Sequence, residues 1–540
     1  MDTQRLILFL VFSFSILLLW DNWERQHAPQ PAAQTQQARV QDVPAGTVKA
    51  NQANVAAPVA EAFSLPAGQK IHVKTDMVEA DIDTQGGDLR HLELLHHKAT
   101  EDKNKNFVLF DDRSQSRLYV AQSGLIGADL PTHKSAFTAQ ANNYELASGS
   151  DKLEVRLSWR NDAGLQVDKV YTFHRGSYVV DLRYDIHNGS AAPLEPSAYF
   201  QLVHDSESSK GSAMMPTFSG AAFYTEADKY KKLKFDDMKK SNLSKNASDG
   251  WIGMVQHYFA SAWIPKSGAG REYYTKDLGG NLYSAGAVTP VGAIAPGASG
   301  SVSARLYAGP QEQKHLKEAA PGLEYTVDYG WLTVIASPLF WVLTMIQKLV
   351  HNWGAAIILL TVLLKLLFFP LSAASYKSMA HMRKVAPRLQ QIKERYGDDR
   401  EKLHQAMMEL YKTEKINPMG GCLPIVVQIP VFIALYWVLL GSVEMRHAPF
   451  ILWIQDLSAT DPYYVLPILM GATMLIQSSL NPPPPDPIQA KVMKIMPVAF
   501  SVFFFFFPAG LVLYWLVNNI LSIAQQWAIN RSIEGAGKKA

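Results

Sequence analysis

One cysteine, Cys422, stands alone in 540 residues. That excludes an intramolecular disulfide and any zinc site built from several thiolates. Charge of neither sign dominates: 51 lysines and arginines face 48 acids, so net charge points to no class of partner. There is no phosphate-cradling glycine loop and no Gly-x-Ser-x-Gly elbow. His91, His96 and His97, like His204-Asp205, have no third metal ligand at a suitable spacing, and read as surface histidines. Long apolar runs are missing between residues 60 and 320, although 48% of the chain is hydrophobic. The excess therefore sits in a few concentrated blocks.

Those blocks have membrane length. The first, 6–20, follows Arg5 and ends in Trp20-Asp21-Asn22-Trp23-Glu24. It is short for a full span and could be a cleaved signal, but no small-residue cleavage site follows, which favours an uncleaved anchor. Apolar blocks recur at 354–371, 422–440, 463–480, 492–507 and 511–528, the last two split only by Pro508-Ala509-Gly510. At about 1.5 Å per residue, such runs suit a hydrocarbon core of roughly 30 Å. Residues 331–350 are nearly as apolar, yet Lys348 and His351 close the run and the next span starts at once. We read this stretch as an amphipathic helix lying in the interface. The positive-inside rule decides the parity. With 331–350 lying flat, the segment 372–421, with ten Lys/Arg against six acids, falls inside, as do Arg531, Lys538 and Lys539. The external loop 441–462 then carries only Arg446 as a base. Six spans with both termini inside follow.

The soluble parts differ in period. Residues 26–60, rich in Ala, Gln, Pro and Val, read as a flexible tether. From 61 to 325 short alternating runs such as 153–159, 178–184 and 301–307 are punctuated by turn residues, which predicts an antiparallel β-sandwich. Within it the Lys/Asp-dense stretch 225–248 reads as an exposed loop or short helix. Inside the cell, 372–418 has helical spacing. Met379, Met382, Leu389, Ile392 and Tyr396 form one stripe; Leu403, Met407, Leu410 and Tyr411 form another. Gly397-Asp398-Asp399 ends the first helix and caps the second, and Pro387 kinks the first arm of this mobile helical hairpin.

Lys365 is the anomaly. It interrupts the apolar run 357–369, where a lysine facing lipid costs about 2.5–3.5 kcal/mol. Two readings stand side by side. Five residues before Pro370, its ammonium could snorkel to headgroups. Alternatively it charges a wet pocket between helices, a reading favoured by Thr361 one turn earlier and by Gln428, Asn518 and Asn519 in other spans. Any one of these polar residues is also suited to ordinary interhelical hydrogen bonding. Pro424 and Pro430, after Gly420-Gly421, add possible kinks. The run 503–507 of phenylalanines reads first as lipid-facing bulk.

The chain resembles the YidC membrane-protein insertases, relatives of the mitochondrial Oxa and plastid Alb proteins. The residues that carry the resemblance are Thr326-Val-Asp-Tyr-Gly-Trp-Leu332, Asn352-Trp-Gly354, Asn417-Pro-Met-Gly-Gly-Cys-Leu-Pro424, Gly441-Ser-Val-Glu-Met-Arg446, Asp456-Leu-Ser458, Asp461-Pro-Tyr-Tyr464 and Phe507-Pro-Ala-Gly-Leu-Val-Leu-Tyr514. Before them, Gln85-Gly-Gly-Asp-Leu89 and Gln256-His-Tyr-Phe-Ala-Ser-Ala-Trp-Ile-Pro265 resemble the Gram-negative branch.

The resemblance implies a multi-domain inner-membrane protein with six transmembrane helices: an anchor (1–25), a linker (26–60), a periplasmic all-β sandwich (61–325), an interfacial helix (326–352), a five-helix core (353–530) holding the cytoplasmic helical hairpin (372–418), and a cytoplasmic tail (531–540). It implies insertion of nascent membrane proteins, alone or with the Sec translocon, beside the ribosome and signal-recognition machinery, with no catalysis, cofactor or nucleic-acid specificity. Its hydrophilic groove usually carries an arginine. Lys365 stands at the matching position here, keeping the charge but losing the planar fork. Thr361, Gln428 and Asn518 would line the groove; Phe432, Met470, Phe503, Tyr514 and Trp515 would guide the client's apolar helix. A small-solute transporter and an anchored carbohydrate-active sandwich are the alternatives. The first would need intramembrane charge pairs or a repeat, and the second would leave the C-terminal spans without a purpose.

Overall fold

The computed structural model describes residues 65–537 except 101, 115–116, 207–217, 269, 398, 415–422 and 481–486. The anchor, the tether, Gly420-Gly421, Cys422, Lys538 and Lys539 lie outside the described residues. The chain divides into two compact units after Asp328.

The first unit is a β-sandwich. One sheet of ten strands runs, in order, Ser244–Ala247, Arg271–Gly279, Leu282–Pro290, Ser197–Asp205, Arg117–Ile126, Asn106–Ser114, Asp88–Lys98, Val78–Asp83, Lys70–Lys74 and Asn143–Glu145. The facing sheet of nine runs Lys231–Lys234, Gly220–Tyr224, Trp251–Val255, Phe259–Pro265, Ser299–Pro310, Val179–Asn188, Leu165–His174, Lys152–Arg160 and Thr138–Ala139. Alternation makes the faces: Val155 and Leu157 are buried while Glu154 and Arg156 between them are not, and Leu182 and Tyr184 are buried beside Asp181 and Arg183. Pairing is antiparallel apart from Lys70–Lys74, which runs parallel to Asn143–Glu145. The stretch 225–248 is more ordered than its composition suggests. It forms strand Lys231–Lys234, helix α1 (Phe235–Lys240) and strand Ser244–Ala247, because Phe235 and Met238 are buried. A second short helix, α2 (Gln313–Ala319), follows the last strand.

A buried ion pair ties the two sheets together. Lys169 and Asp88, on opposite sheets, are both fully buried with Nζ 3.6 Å from Oδ1. The ammonium also donates to the carbonyls of Gly86 (3.0 Å) and Ser123 (3.3 Å), and the rings of Tyr184, Tyr171 and Phe137 surround it at 5.5–5.8 Å. The Gly86-Gly87 turn makes room: both residues have positive φ, and a side chain on Gly87 would press on the Lys169 stem. Burial lowers the Lys169 pKa to about 8 against the pull of Asp88, and raises that of Asp88.

The second unit is helical. After a turn at Gly330–Leu332 come α3 (Thr333–Val350), α4 (Trp353–Leu367), α5 (Phe369–Tyr396), α6 (Arg400–Thr413), α7 (Leu423–Gly441), α8 (Val465–Leu480), α9 (Pro487–Phe503) and α10 (Ala509–Gly537). The stripe Ala336, Leu339, Phe340 and Leu343 is buried, and α3 packs on α4; Trp331, Val334, Trp341 and Leu349 are exposed. Residues 330–350 thus have the length and composition of a span, a feature that the charge argument had set aside. The predicted span 354–371 is shorter than expected. It stops at Leu367, and the chain bends by 66° into α5, where Pro370 near the start supplies no N–H. Helix α5 continues through Pro387. It packs on α6 through Met382, Val385 and Leu389 against Met407, Leu410 and Tyr411. Asp399 caps α6, accepting the Lys402 N–H at 3.1 Å.

Replacing Lys169 with Met leaves Asp88 buried without its cation and is expected to cost about 3–5 kcal/mol, while K169M/D88L recovers most of it. The sign of the pH effect follows from the lowered pKa. Between about 8 and the ordinary 10.5, the unfolded chain holds the Lys169 proton more tightly than the folded one. Native stability therefore rises with pH through that window relative to K169M. Thermal melts of the full chain at pH 7 and pH 10 check both statements.

Candidate functional site

Helices α4, α7 and α10 enclose the group that the apolar run makes conspicuous. Lys365, on the last turn of α4, is only 5% exposed, so its side chain turns into the protein and does not snorkel. Its ammonium donates to Ser522 Oγ on α10 at 2.7 Å. Ser522 spends its own proton on the Asn518 carbonyl (2.8 Å) and so can only accept from the lysine. Among the described residues no carboxylate lies within 4.0 Å of Lys365 Nζ. The charge is thus held by a hydroxyl dipole with two of its three N–H donors unassigned.

A small cavity adjoins the ammonium, lined by Thr361, Lys365, Gln428, Tyr514 and Asn518 together with Leu364, Phe368 and Val431. All four residues expected in the groove meet there. At 10 Å³ it is about the size of one water. Thr361 spends its proton on the Ile357 carbonyl at 2.7 Å. The side-chain amides of Gln428 and Asn518 make no hydrogen bond among the described residues, and face the cavity with spare donors and acceptors.

The expected apolar guides do not all gather. Phe432 meets Trp515 edge-on at 4.5 Å and stacks on Tyr514 at 6.2 Å. Phe503 is 47% exposed beside Phe507. Met470 is wholly buried within α8, on no accessible surface. Ser522 escaped the sequence reading. It lies one turn after Asn518, so an i, i+4 polar stripe on α10 was the signal available.

One end of this helical unit is tied shut by short-range chemistry. Asn352 caps α4 by accepting the Ala355 N–H (2.9 Å) and donates to the Phe450 carbonyl (2.9 Å). Asp461 accepts the N–H groups of Tyr463 (3.0 Å) and Leu466 (2.8 Å) at the start of α8, and the Trp453 indole N–H (3.0 Å). Asp456 accepts the N–H groups of His447 and Ser458. The start of α10 then closes on this loop: Ala509 N–H donates to the Ala459 carbonyl (2.7 Å) and Gly510 N–H to that of Leu457 (2.9 Å).

The segments that make this closure are those that carry the family resemblance, and direct comparison agrees. The model of the YidC periplasmic domain matches residues 70–342, and that of the 60Kd inner membrane protein matches residues 345–537. The chain belongs to the YidC family. The membrane protein insertase YidC of Methylobacillus flagellatus is 68% identical, over 100% of this chain and 99% of its own length. That of Nitrosospira multiformis is 56% identical, over 99% of this chain and 98% of its own. A crystal structure of an active YidC insertase with its first transmembrane domain resolved aligns at 19% identity and a TM-score of 0.40, covering 85% of this chain and 92% of that one.

Gly354 of the YidC-type Asn352-Trp-Gly segment lies under the Phe450 ring, which a Cβ would overlap. Gly354→Ala is therefore expected to destabilise the helical unit by about 1–3 kcal/mol. In G354A/F450A the ring is gone, and part of that loss returns. Detergent-solubilised melts of the two variants test the contact.

Proposed function

We propose that this chain inserts nascent proteins into the inner membrane by offering their polar segments a charged niche inside the helical unit. Insertion is the activity its family membership carries, and the β-sandwich is the periplasmic domain of that family. The observation that carries the mechanism is the Lys365 ammonium, buried beside a cavity with no acid among the described residues to neutralise it. A fixed cation with open donors attracts a client's acidic tail and replaces part of the water that tail loses in crossing. Gln428 and Asn518, with unused amide groups, would accommodate polar backbone beside it. The cavity is too small here for a carboxylate, so the client has to part α7 from α4 and α10 to enter. The client's apolar helix partitions into lipid along Phe432, Tyr514, Trp515 and Phe503, which is downhill without a nucleotide. Met470, being buried, would act only if α8 moves.

The finer topology belongs to the same proposal. Six spans, both termini inside, rest on the basic segment 372–421 and on the apolar faces of α4 and α8, where Leu359, Leu363, Ile468 and Ile476 are exposed. The α5–α6 pair would then receive clients on the cytoplasmic side, from the ribosome and signal-recognition machinery, alone or beside the Sec translocon. Helix α3 would lie in the outer interface, with Trp331 and Trp341 at headgroup depth.

Reconstitution in liposomes with a short nascent client tests this reading. Protease protection of an acidic translocated tail is expected to fall about tenfold in Lys365→Ala, the equivalent of one charge-assisted hydrogen bond of roughly 1.5 kcal/mol. Ser522→Asp places a competing carboxylate on the same ammonium. It is expected to lower protection of acidic tails while sparing tails with Asn and Gln in their place. Equal protection by native chain and Lys365→Ala returns Lys365 to a packing role; none above empty liposomes refutes insertion by the chain alone.

A further inference from the structure

Far along the sequence from Lys365, the outer face of the nine-stranded sheet carries a cleft of 560 Å³. Thr172, Asp181 and Arg305 lie in register across three of its strands, and Arg183 stands opposite Ser303 two residues further along. Ile264, Pro265 and Ala304 give it an apolar floor, and Ala320-Pro321 line it after α2. A second hollow of 310 Å³ shares Asp181 and Arg305 with it, so the depression continues along the strands.

The inventory of hydrogen-bonding groups in the cleft is lopsided. Each acid already has a donor: Asp181 takes the His174 imidazole at 2.7 Å, Glu226 the Lys229 ammonium at 2.9 Å, and Asp249 the Glu226 N–H at 2.7 Å. Of the bases, Arg183 spends only its Nε, on Asp185 at 2.9 Å. The side chains of Arg305 and Lys266 make no hydrogen bond or ion pair among the described residues. Five N–H groups on Arg305 and three on Lys266 therefore stand over an apolar floor awaiting acceptors. A ligand that fits brings carboxylates on a chain with apolar side groups.

We propose that this cleft holds an extended acidic stretch of polypeptide, with its carboxylates on Arg305 and Lys266 and its apolar side chains against Pro265 and Pro321. This rests on the insertion reading for the identity of the partner. Segments delivered to the periplasmic side of a membrane are poor in lysine and arginine, so they bring few cations to be repelled by Arg305 and Lys266, and those that carry acids fit the unspent donors. The sandwich would then retain a tail that has already crossed and oppose its return.

The test is direct binding to the full chain in detergent. The probes are a short labelled peptide alternating Glu with Leu and its Gln-for-Glu counterpart. The acidic peptide is expected to bind with steep salt dependence, and the Gln peptide at least about tenfold more weakly. Arg305→Glu/Lys266→Glu should abolish the difference with an unchanged melt, since both side chains lie at the surface. Ser303→Trp, which fills the cleft without touching its charge, should weaken both peptides. Equal binding of the two peptides overturns the proposal. So does displacement of the acidic peptide by a neutral oligosaccharide, which makes this a sugar site, or by micelles carrying anionic lipid, which makes it a headgroup site. Protease protection in liposomes keeps the two readings apart. Native-level insertion with no peptide binding sinks the cleft alone, whereas loss of insertion by the native chain removes the partner.

Discussion

A lysine in an apolar helix has to be solvated by something, and lipid offers nothing. Here the answer comes from α10, which brings Ser522 within 2.7 Å of the Lys365 ammonium and sets Asn518 one turn away. The arrangement constrains much else in the helical unit. Helix α4 must end where its lysine still reaches α10, and the chain turns by 66° directly after that turn of helix. Tyr514 and Phe432 stack beside the cavity, which leaves Gln428 as the polar group that α7 contributes. A neutral residue at position 365 would free all of these from their present spacing.

Holding three helices around a buried charge requires that their ends not drift. The ties at one end are polar and short: Asn352 to Phe450, Asp461 to the start of α8, Leu457 and Ala459 to the start of α10. Each satisfies backbone groups that a helix end leaves open, so capping and anchoring are one act. Gly354 appears where the backbone runs too close to the Phe450 ring for a side chain, and Gly510 where a Cβ would sit tightly against the Leu457 carbonyl. Sequence motifs clustered at helix ends, away from the cavity itself, are what this division of labour produces.

Much of this was legible from the sequence, for identifiable reasons. Polar residues inside apolar runs are few, and interior space in a helical membrane unit is limited. Grouping Thr361, Lys365, Gln428 and Asn518 therefore needed little more than the cost of facing lipid. Ser522 was not legible, because a serine can return its proton to its own helix and ask for no partner. The alternating runs 153–159, 178–184 and 301–307 gave the strands, but not that Val179–Asn188 pairs with Ser299–Pro310 across nearly half the sandwich sequence. Pairing at that distance is set by the whole core, not by local pattern. The bend at Phe368 was obscured because hydrophobicity continues through Pro370 and does not register a change of direction. In 225–248, lysine and aspartate hid two buried side chains, Phe235 and Met238, that were enough to order the segment.

Among the described residues two lysines are buried, and the contrast between them is one of architecture against proposed function. Lys169 has an acid at 3.6 Å, two carbonyls and three aromatic rings around it, so its charge already has its partners. Such a group fixes how two sheets face each other and can do nothing more. Among the described residues Lys365 has one hydroxyl, no acid and a cavity edged by two amides with nothing to bond. Its desolvation is only partly offset, and that unmet remainder is what the proposed insertion mechanism draws on. Burial alone does not distinguish the two residues; the count of unspent donors and the space next to them does.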